Sequence, residues 1–207
     1  MALSAQDLVT FALLGKTGNL INIGCGNLSG EPAADFFWWL GDIGWKCVLG
    51  LDIRADLIEE AKRFHPTANV VCADALTVNF RELYKRFNVP KVVDVLSVDV
   101  DPCSIDVLRR LPFDNYEYKL IFVEHDLYVQ HRGPRDKFLL QQFMKDKTDY
   151  HLFAEDMGLV FCTPNYLEDW YVNKKYVNDF KVKDILERRY YRINPNTVAL
   201  DLLGIKV

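Results

Sequence analysis

The sequence predicts an α/β protein with a doubly wound, mostly parallel sheet of seven strands and helices on both faces. Short apolar runs alternate with segments of helical periodicity from residue 19 to residue 126. The first run, residues 20–23, ends in the turn Gly24-Cys25-Gly26, and glycines directly after a buried strand allow a tight turn and a close backbone approach. Polar residues end the later runs. This pattern is typical of a nucleotide-binding sheet.

Composition and charge define the broad class of the protein. Of the 207 residues, 50% are hydrophobic and 26% are charged, and the net charge is −4, which gives no general attraction to phosphate backbones. We therefore do not expect nucleic acid as the partner. The five cysteines are odd in number and contain no CxxC pair, so we expect reduced thiols. No signal peptide or membrane-length apolar run is visible, which favours a cytoplasmic protein without membrane contact.

The length favours one domain, in which residues 1–18 form a flanking helix and residues 19–207 form the α/β core. Ser4 and Asp7 resemble a capping box for the flanking helix, which would end at Gly15. The periodicity predicts strands over residues 20–23, 45–52, 69–72, 91–100, 118–123, 158–162 and 197–203. It predicts further helices over residues 32–40, 54–64, 78–87, 102–110 and 136–145.

Carboxylates dominate the predicted strand ends, where a doubly wound sheet binds its ligand. Asp52 ends the second strand, and a carboxylate at that place can accept hydrogen bonds from both hydroxyls of a ribose. Asp74 ends the third strand, where it could accept a hydrogen bond from an adenine amine or cap the next helix. The fourth and fifth strand ends carry Asp99, Asp101, Glu124, His125 and Asp126.

The chain resembles the class I methyltransferases that use S-adenosylmethionine, through Asn22-Ile23-Gly24-Cys25-Gly26, Leu51-Asp52 and Ala73-Asp74. The segments 94–101, 105–108 and 120–125 further resemble the FkbM-type methyltransferases, which mostly methylate hydroxyl groups of sugars or other small molecules. Asn22 stands where that family usually has an acidic residue, and Asp101-Pro102 replaces its Glu-Gly. The resemblance implies these cofactor-binding residues: Asn22, Gly24, Cys25, Gly26, Asp52, Ile53, Asp74, Ala75 and Asp99.

The resemblance also implies catalytic and metal-binding roles. Related sugar O-methyltransferases bind magnesium through acidic residues at the fourth and fifth strand ends, and the oxygen ligands that magnesium prefers stand at the matching places here. They are Asp99, Asp101, Glu124 and Asp126. His125 would then be the general base beside Asp99, because imidazole titrates near neutral pH; His131 is a second candidate.

Two other functions remain open. Asp101-Pro102-Cys103-Ser104 resembles the proline-cysteine element of cytosine-5 RNA methyltransferases, whose thiolate attacks the base. Asn22 instead favours a binding module that has kept the scaffold without the activity.

Two late segments also allow two interpretations. Residues 174–192 contain both basic and aromatic side chains, which can indicate a nucleic-acid-binding surface or a solvent-exposed helix face. Residues 166–173 either border the acceptor pocket or pack on the sheet edge as a helix, in which case Glu168 and Asp169 would face solvent.

Overall fold

The structure is a computed structural model that describes residues 5–25, 43–125, 127, 132–158 and 167–206. Its strands are β1 (Asn19–Ile23), β2 (Lys46–Asp52), β3 (Val70–Cys72), β4 (Val92–Val98), β5 (Glu117–Glu124), β6 (Tyr150–Met157), β7 (Glu168–Asn173) and β8 (Tyr190–Tyr191). Its α-helices are α1 (Gln6–Leu14), α2 (Ala55–Phe64), α3 (Phe80–Arg86), α4 (Ser104–Arg110), α5 (Gly133–Asp146) and α6 (Pro195–Leu202). A 3-10 helix covers Lys174–Asp179.

The strands form one sheet in the order β3-β2-β1-β4-β5-β7-β6-β8. The first five strands in this order are parallel, β7 runs antiparallel between β5 and β6, and β8 is parallel to β6. The predicted α/β fold is therefore confirmed, with eight strands rather than seven. The strand order reverses direction between β1 and β4, which is where open α/β sheets bind ligands.

Helices cover both faces of the sheet, as predicted. The helices α1, α2 and α6 contribute to the hydrophobic cluster on one face, and α3, α4 and α5 contribute to the cluster on the other. The strand side chains alternate between these clusters, as the two-residue period of a strand requires. Within the described ranges, no helix is both long enough and apolar enough to cross a bilayer.

One prediction for the C-terminal region is wrong. Residues 197–203 form most of helix α6 and its end, because Asn194 caps the helix and Val198, Ala199 and Leu202 bury one helical face. The sixth strand lies at Tyr150–Met157, ahead of the predicted range, of which residues 159–162 lie outside the described residues. The predicted helix at residues 32–40 also lies outside them.

The segment from residue 168 to residue 173 is strand β7, not a helix. Its six residues are all buried, because β5 and β6 pair with its two edges and its faces pack into the two clusters. Glu168 and Asp169 therefore do not face solvent. Residues 174–192 contain the short 3-10 helix Lys174–Asp179 and strand β8 (Tyr190–Tyr191) but no α-helix, so the predicted solvated helix face is also wrong.

Gly24 brings the carboxyl ends of β1 and β4 together. Its φ is +83°, and a Cβ atom at this position would lie 1.6 Å from the carbonyl oxygen of Asp99. The two strands are tied here by a hydrogen bond of 2.9 Å from the Asp99 amide to the Ile23 carbonyl. The glycine is therefore required both by the backbone angle and by the space.

We predict that Gly24→Ala lowers the free energy of unfolding by more than about 4 kcal/mol, because the methyl group must push β4 away. Gly204→Ala is the matched control: Gly204 has a φ of +74° but nothing within 4 Å of an added Cβ. That variant should lose only about 1–2 kcal/mol, the cost of the left-handed angle. Urea unfolding of both variants measures the difference. Equal losses would contradict the close contact with Asp99.

Candidate functional site

A cleft of about 450 Å³ lies at the carboxyl ends of β1, β2, β3 and β4. Its volume is within the range of about 300–1,000 Å³ found for small-molecule pockets. The predicted cofactor residues on its wall are Gly24, Asp52, Ile53, Asp74, Ala75 and Asp99. The structure thus brings together residues that are up to 75 positions apart, from Gly24 to Asp99.

Asp52 ends β2 with its side chain fixed beside the cleft. Its Oδ1 accepts a hydrogen bond of 2.7 Å from the amide of Arg54, and the residue is 9% exposed. In the described part of the chain, this leaves Oδ2 for a ligand. A carboxylate held in one orientation can accept a pair of hydroxyl groups without first losing much side-chain entropy.

An apolar surface lies next to Asp52. The Ile53 side chain is 67% exposed although it is large and hydrophobic, and the partly exposed Leu76 also lines the cleft. Such side chains at a concave site offer contact area to a flat ring. Asp74 accepts a 2.8 Å hydrogen bond from the Leu76 amide, whereas helix α3 is capped by Asn79. The alternative that Asp74 caps this helix is therefore wrong.

Asp99 and the residues that follow it form the wall nearest to β4. Asp99 and Asp101 are exposed, and they line the cleft together with Pro102 and Cys103. Helix α4 begins only at Ser104, two residues later than predicted, where the Ser104 hydroxyl accepts a 2.9 Å hydrogen bond from the Val100 amide. The loop between β4 and α4 is thus part of the site.

Other predicted site residues lie elsewhere. Asn22 and Cys25 are buried, 5% and 2% exposed, and are not on the described wall of the cleft. Gly26, Asp126 and His131 lie outside the described residues. Among the described residues, Asp99, Asp101 and Glu124 do not form a group of three whose ligand atoms lie within 4.8 Å of one another. The described members of the predicted magnesium set are therefore not assembled.

His125 lies in a buried polar cluster behind the end of β5. Its Nε2 is 3.3 Å from Asp169 Oδ1 and 3.5 Å from Asp156 Oδ1, and the three side chains have no exposed area. Its Nδ1 accepts a 3.3 Å hydrogen bond from the Leu127 amide. A neutral imidazole that accepts at Nδ1 carries its proton on Nε2, which lies within 3.5 Å of both carboxylates but, among the described residues, makes no well-aligned hydrogen bond.

The same three side chains have the donor types and spacing of a metal site, but cations already surround them. Lys137 Nζ lies 2.5 Å from Asp156 Oδ1 and Arg192 Nε lies 3.0 Å from Asp156 Oδ2. Burial opposes the charge of Lys137, yet hydrogen bonds to its two carboxylate partners raise its pKa above the usual value. These cations balance the carboxylates, so the cluster acts as a brace between β5, α5 and the β6-β7 hairpin.

Glu168 is a buried carboxylate at the same edge of the sheet, opposite Glu124 in the β5-β7 pairing. Burial raises its pKa to about 8, with a smaller contribution from Asp99. Gln6 of helix α1 donates a hydrogen bond to its Oε2. The sequence marks the segment that carries Glu168, but only the sheet pairing shows that this side chain is enclosed at the edge where the cleft lies.

The basic segment that follows β7 starts at the other edge of the sheet. Because β7 is antiparallel, its end lies beside the start of β5, where Lys175 pairs with Glu117 at 2.7 Å. Arg188 of this segment pairs with Asp184, and Asp179 of the segment pairs with Lys119 of β5. These charges are engaged within the protein.

Comparison with family models and with curated proteins gave no match. Solved structures gave several. One is a candidate rRNA methylase from Clostridium thermocellum, with a TM-score of 0.56, 11% identity, and coverage of 84% of this chain and 98% of that chain. Another is a candidate methyltransferase from Streptococcus mutans in complex with SAH, with a TM-score of 0.52, 11% identity, and coverage of 81% and 94%.

A third similar structure is the plantazolicin methyltransferase BamL, in complex with a triazolic desmethylPZN analog and SAH. Its TM-score is 0.53 at 14% identity, with coverage of 83% of this chain and 84% of that chain. These neighbours share the class I methyltransferase fold, and the chain has that fold. The names of the first and third indicate different acceptors, rRNA and plantazolicin, so the common fold leaves the acceptor open.

We predict that Glu168→Gln flattens the pH dependence of stability. The folded-state pKa of Glu168, about 8, lies above its usual 4.5, so its contribution to stability is complete below pH 4.5 and is lost as the pH rises toward 8. Between pH 5 and pH 8 the free energy of unfolding of the unmodified protein should fall, relative to the variant, by up to about 1.4 kcal/mol per pH unit. Urea unfolding at four pH values tests this; parallel curves would contradict it.

Proposed function

We propose that the protein transfers a methyl group from S-adenosylmethionine to a hydroxyl group of a sugar or another small molecule, as the FkbM-type methyltransferases do. The observation that carries this proposal is the cleft beside β1 and β4, where the strand order reverses. Gly24, Asp52 and the exposed Ile53 meet there. The similar structures that contain SAH support the cofactor class. The acceptor class rests on the sequence resemblance.

The cleft fits the cofactor. Asp52 would accept hydrogen bonds from the ribose hydroxyls with the oxygen that Arg54 leaves open. Ile53 and Leu76 would contact the faces of the adenine ring, and Asp74 would accept from its amine. Gly24, which has no room for a Cβ, would let the backbone approach the methionine portion of the cofactor closely.

The cofactor supplies the activated methyl group, and the chain must position it and remove a proton from the acceptor. Asp99 follows β4, which lies between β1 and β5, and it lines the cleft. If Asp52 binds the ribose of the cofactor, the methionine portion with the reactive methyl group would lie near Asp99. We assign Asp99 to positioning the cofactor. We leave magnesium out of the proposal, because the described acidic residues of the predicted set do not assemble a site.

His125 is less suited to proton transfer than its position in the sequence indicates. Its Nε2 faces Asp156 and Asp169, and its Nδ1 accepts from the Leu127 amide. Both ring nitrogens are thus directed to groups of the protein. We therefore propose that His125 supports the end of β5 rather than acting as the base.

Methylation of RNA at cytosine-5 is the second candidate, because Cys103 does line the cleft beside Asp101 and Pro102. One similar structure is also named as a candidate rRNA methylase. However, burial raises the pKa of the Cys103 thiol, and the carboxylate of Asp106 adds to this effect. A cysteine nucleophile instead needs a lowered pKa, so the environment of Cys103 counts against the cytosine-5 mechanism.

We predict that Asp52→Ala weakens binding of S-adenosylmethionine by about 10- to 100-fold, since hydrogen bonds to a charged group contribute about 1.5–3 kcal/mol. Calorimetric titration measures the dissociation constant. Glu59→Ala is the control, because Glu59 is exposed on helix α2 and its ion-pair partner among the described residues is Lys62. An unchanged affinity in folded Asp52→Ala would remove Asp52 from the site, and binding without any methyl transfer would support the non-catalytic module.

We predict that Cys103 behaves as an unactivated thiol. Its rate of alkylation by iodoacetamide should rise with pH and reach half its maximum only above pH 9, because its pKa is raised. Peptide mass mapping follows each cysteine separately, with the exposed Cys72 as the internal reference. Rapid alkylation of Cys103 at pH 7 would instead show an activated thiolate and favour the RNA methyltransferase.

A further inference from the structure

A second, smaller cavity lies beside the cleft, where helix α4, the end of β5 and the first turn of α5 meet. About 10 Å³ of it is open to the centre of a water-sized group, which is about the lower limit for holding one such group. Ser104, Glu124 and Asp136 contribute oxygen atoms to its lining residues. Pro102 lines both the cavity and the cleft, so the two spaces are adjacent.

Asp136 brings an unpaired carboxylate to this cavity. The residue lies in the first turn of α5, where its amide donates a 2.9 Å hydrogen bond to the Arg132 carbonyl. Its side chain makes neither a hydrogen bond nor an ion pair with any residue that the structure describes. Burial is the main cause of the raised pKa of Cys103 on the cleft wall, and the charge of Asp136 contributes to it. The carboxylate is therefore held near the cleft without a partner of its own.

The Ser104 hydroxyl is a second polar group with unused bonding capacity. The residue is only 6% exposed, and its oxygen accepts a 2.9 Å hydrogen bond from the Val100 amide. Among the described residues this is its one hydrogen bond, so a lone pair and the hydroxyl proton remain unused. Folded proteins pair almost all of their buried polar groups. A hydroxyl that is more than nine-tenths buried on a cavity wall therefore indicates an occupant that completes its bonding.

The charges around the cavity and the cleft are mostly negative. The cation on the described cleft wall is Arg54, which pairs with Asp56 at 2.7 Å. The described lining of the cavity contains no lysine or arginine, and both nitrogens of its imidazole, that of His125, are directed to other groups of the protein. The carboxylates on the two walls are Asp52, Asp74, Asp99, Asp101, Glu124 and Asp136. Such a surface attracts cations and repels phosphate.

The group that matches this cavity is a protonated primary amine. An ammonium group is about as large as water and has three N–H donors and no acceptor. Three oxygens can accept from it: a carboxylate oxygen of Glu124, one of Asp136, and the Ser104 hydroxyl through its remaining lone pair. A hydroxyl group has only one proton to donate. Mg²⁺ usually keeps several water ligands, for which this cavity has no room.

We propose that this cavity binds an ammonium group of the acceptor, so that the acceptor is an amino sugar or another amino alcohol. This inference rests on the proposed function and assigns the class of its acceptor. The ammonium group lies between Glu124 and Asp136, and the hydroxyl group to be methylated lies beyond Pro102, in the cleft. Binding of the amine thus positions the hydroxyl group for the reaction.

The experiment uses the full chain saturated with SAH and measures the binding of three sugars by ligand-detected NMR titration at pH 6.5. Glucosamine carries a protonated amine at this pH, whereas glucose and N-acetylglucosamine are neutral. Glucosamine should bind about tenfold more tightly than either neutral sugar, because hydrogen bonds to charged groups are among the strongest. Equal affinities, or no detectable binding of glucosamine, would overturn the inference.

Asp136→Asn tests the cavity itself, since it keeps the shape of the side chain and removes the charge. The preference for glucosamine should fall below about threefold, with the affinity for SAH unchanged. Glu124→Gln, on β5, gives the same test if Asp136→Asn does not fold. The control is Asp146→Asn, because Asp146 is exposed at the other end of α5 and has no ion-pair partner in the described ranges. This control should keep the full preference.

The outcomes separate the two proposals. Calorimetric titration with SAH on the same samples tests the proposed function: if the unmodified protein does not bind SAH, both proposals are overturned. If SAH binds but glucosamine is not preferred, only this inference is overturned. A preference that persists in folded Asp136→Asn would place the amine elsewhere, and an equal loss in Asp146→Asn would show a general charge effect. Either result would also overturn the inference.

Discussion

The contact between Gly24 and the backbone of Asp99 is the constraint on which the site depends. The carboxyl ends of β1 and β4 approach so closely that a side chain at Gly24 has no space. The strand order reverses between these two strands, and open α/β sheets bind ligands at such a reversal. The same contact fixes Asp99 on the wall, where it lies across from Asp52. The cleft and the geometry of the sheet therefore share one origin.

The side chains at the ends of β2 and β3 differ in chemistry from those at the ends of β5 and β7, across the β1-β4 pair. On the β2-β3 side, exposed apolar side chains and two carboxylates offer a surface suited to a nucleoside. On the β5-β7 side, polar groups are buried. The cluster around His125 is balanced by Lys137 and Arg192, so it contributes rigidity. Glu168 instead contacts the neutral donors Gln6 and Trp170, and burial raises its pKa to about 8.

Part of this arrangement follows from the sequence. The alternation of apolar runs and helical periodicity predicts the first five strands and their helices, because a strand buried on both faces is apolar throughout. The residue that ends each such strand is then predictable, and Asp52, Asp74 and Asp99 do meet at one cleft. The glycine turn is also visible in the sequence, since only glycine tolerates the angle and the contact at Gly24.

The tertiary structure decided what local pattern could not. Residues 197–203 have the composition of a strand, but Asn194 and the packing of Val198 against the sheet make them a helix. Strand β7 has helical spacing of its large side chains, yet pairing on both edges buries it. The environments of His125 and Glu168 depend on residues far away in the chain, Asp156 and Gln6. Sequence determines which side chains end the strands, whereas burial and pairing, which arise from long-range contacts, determine their charge and their role.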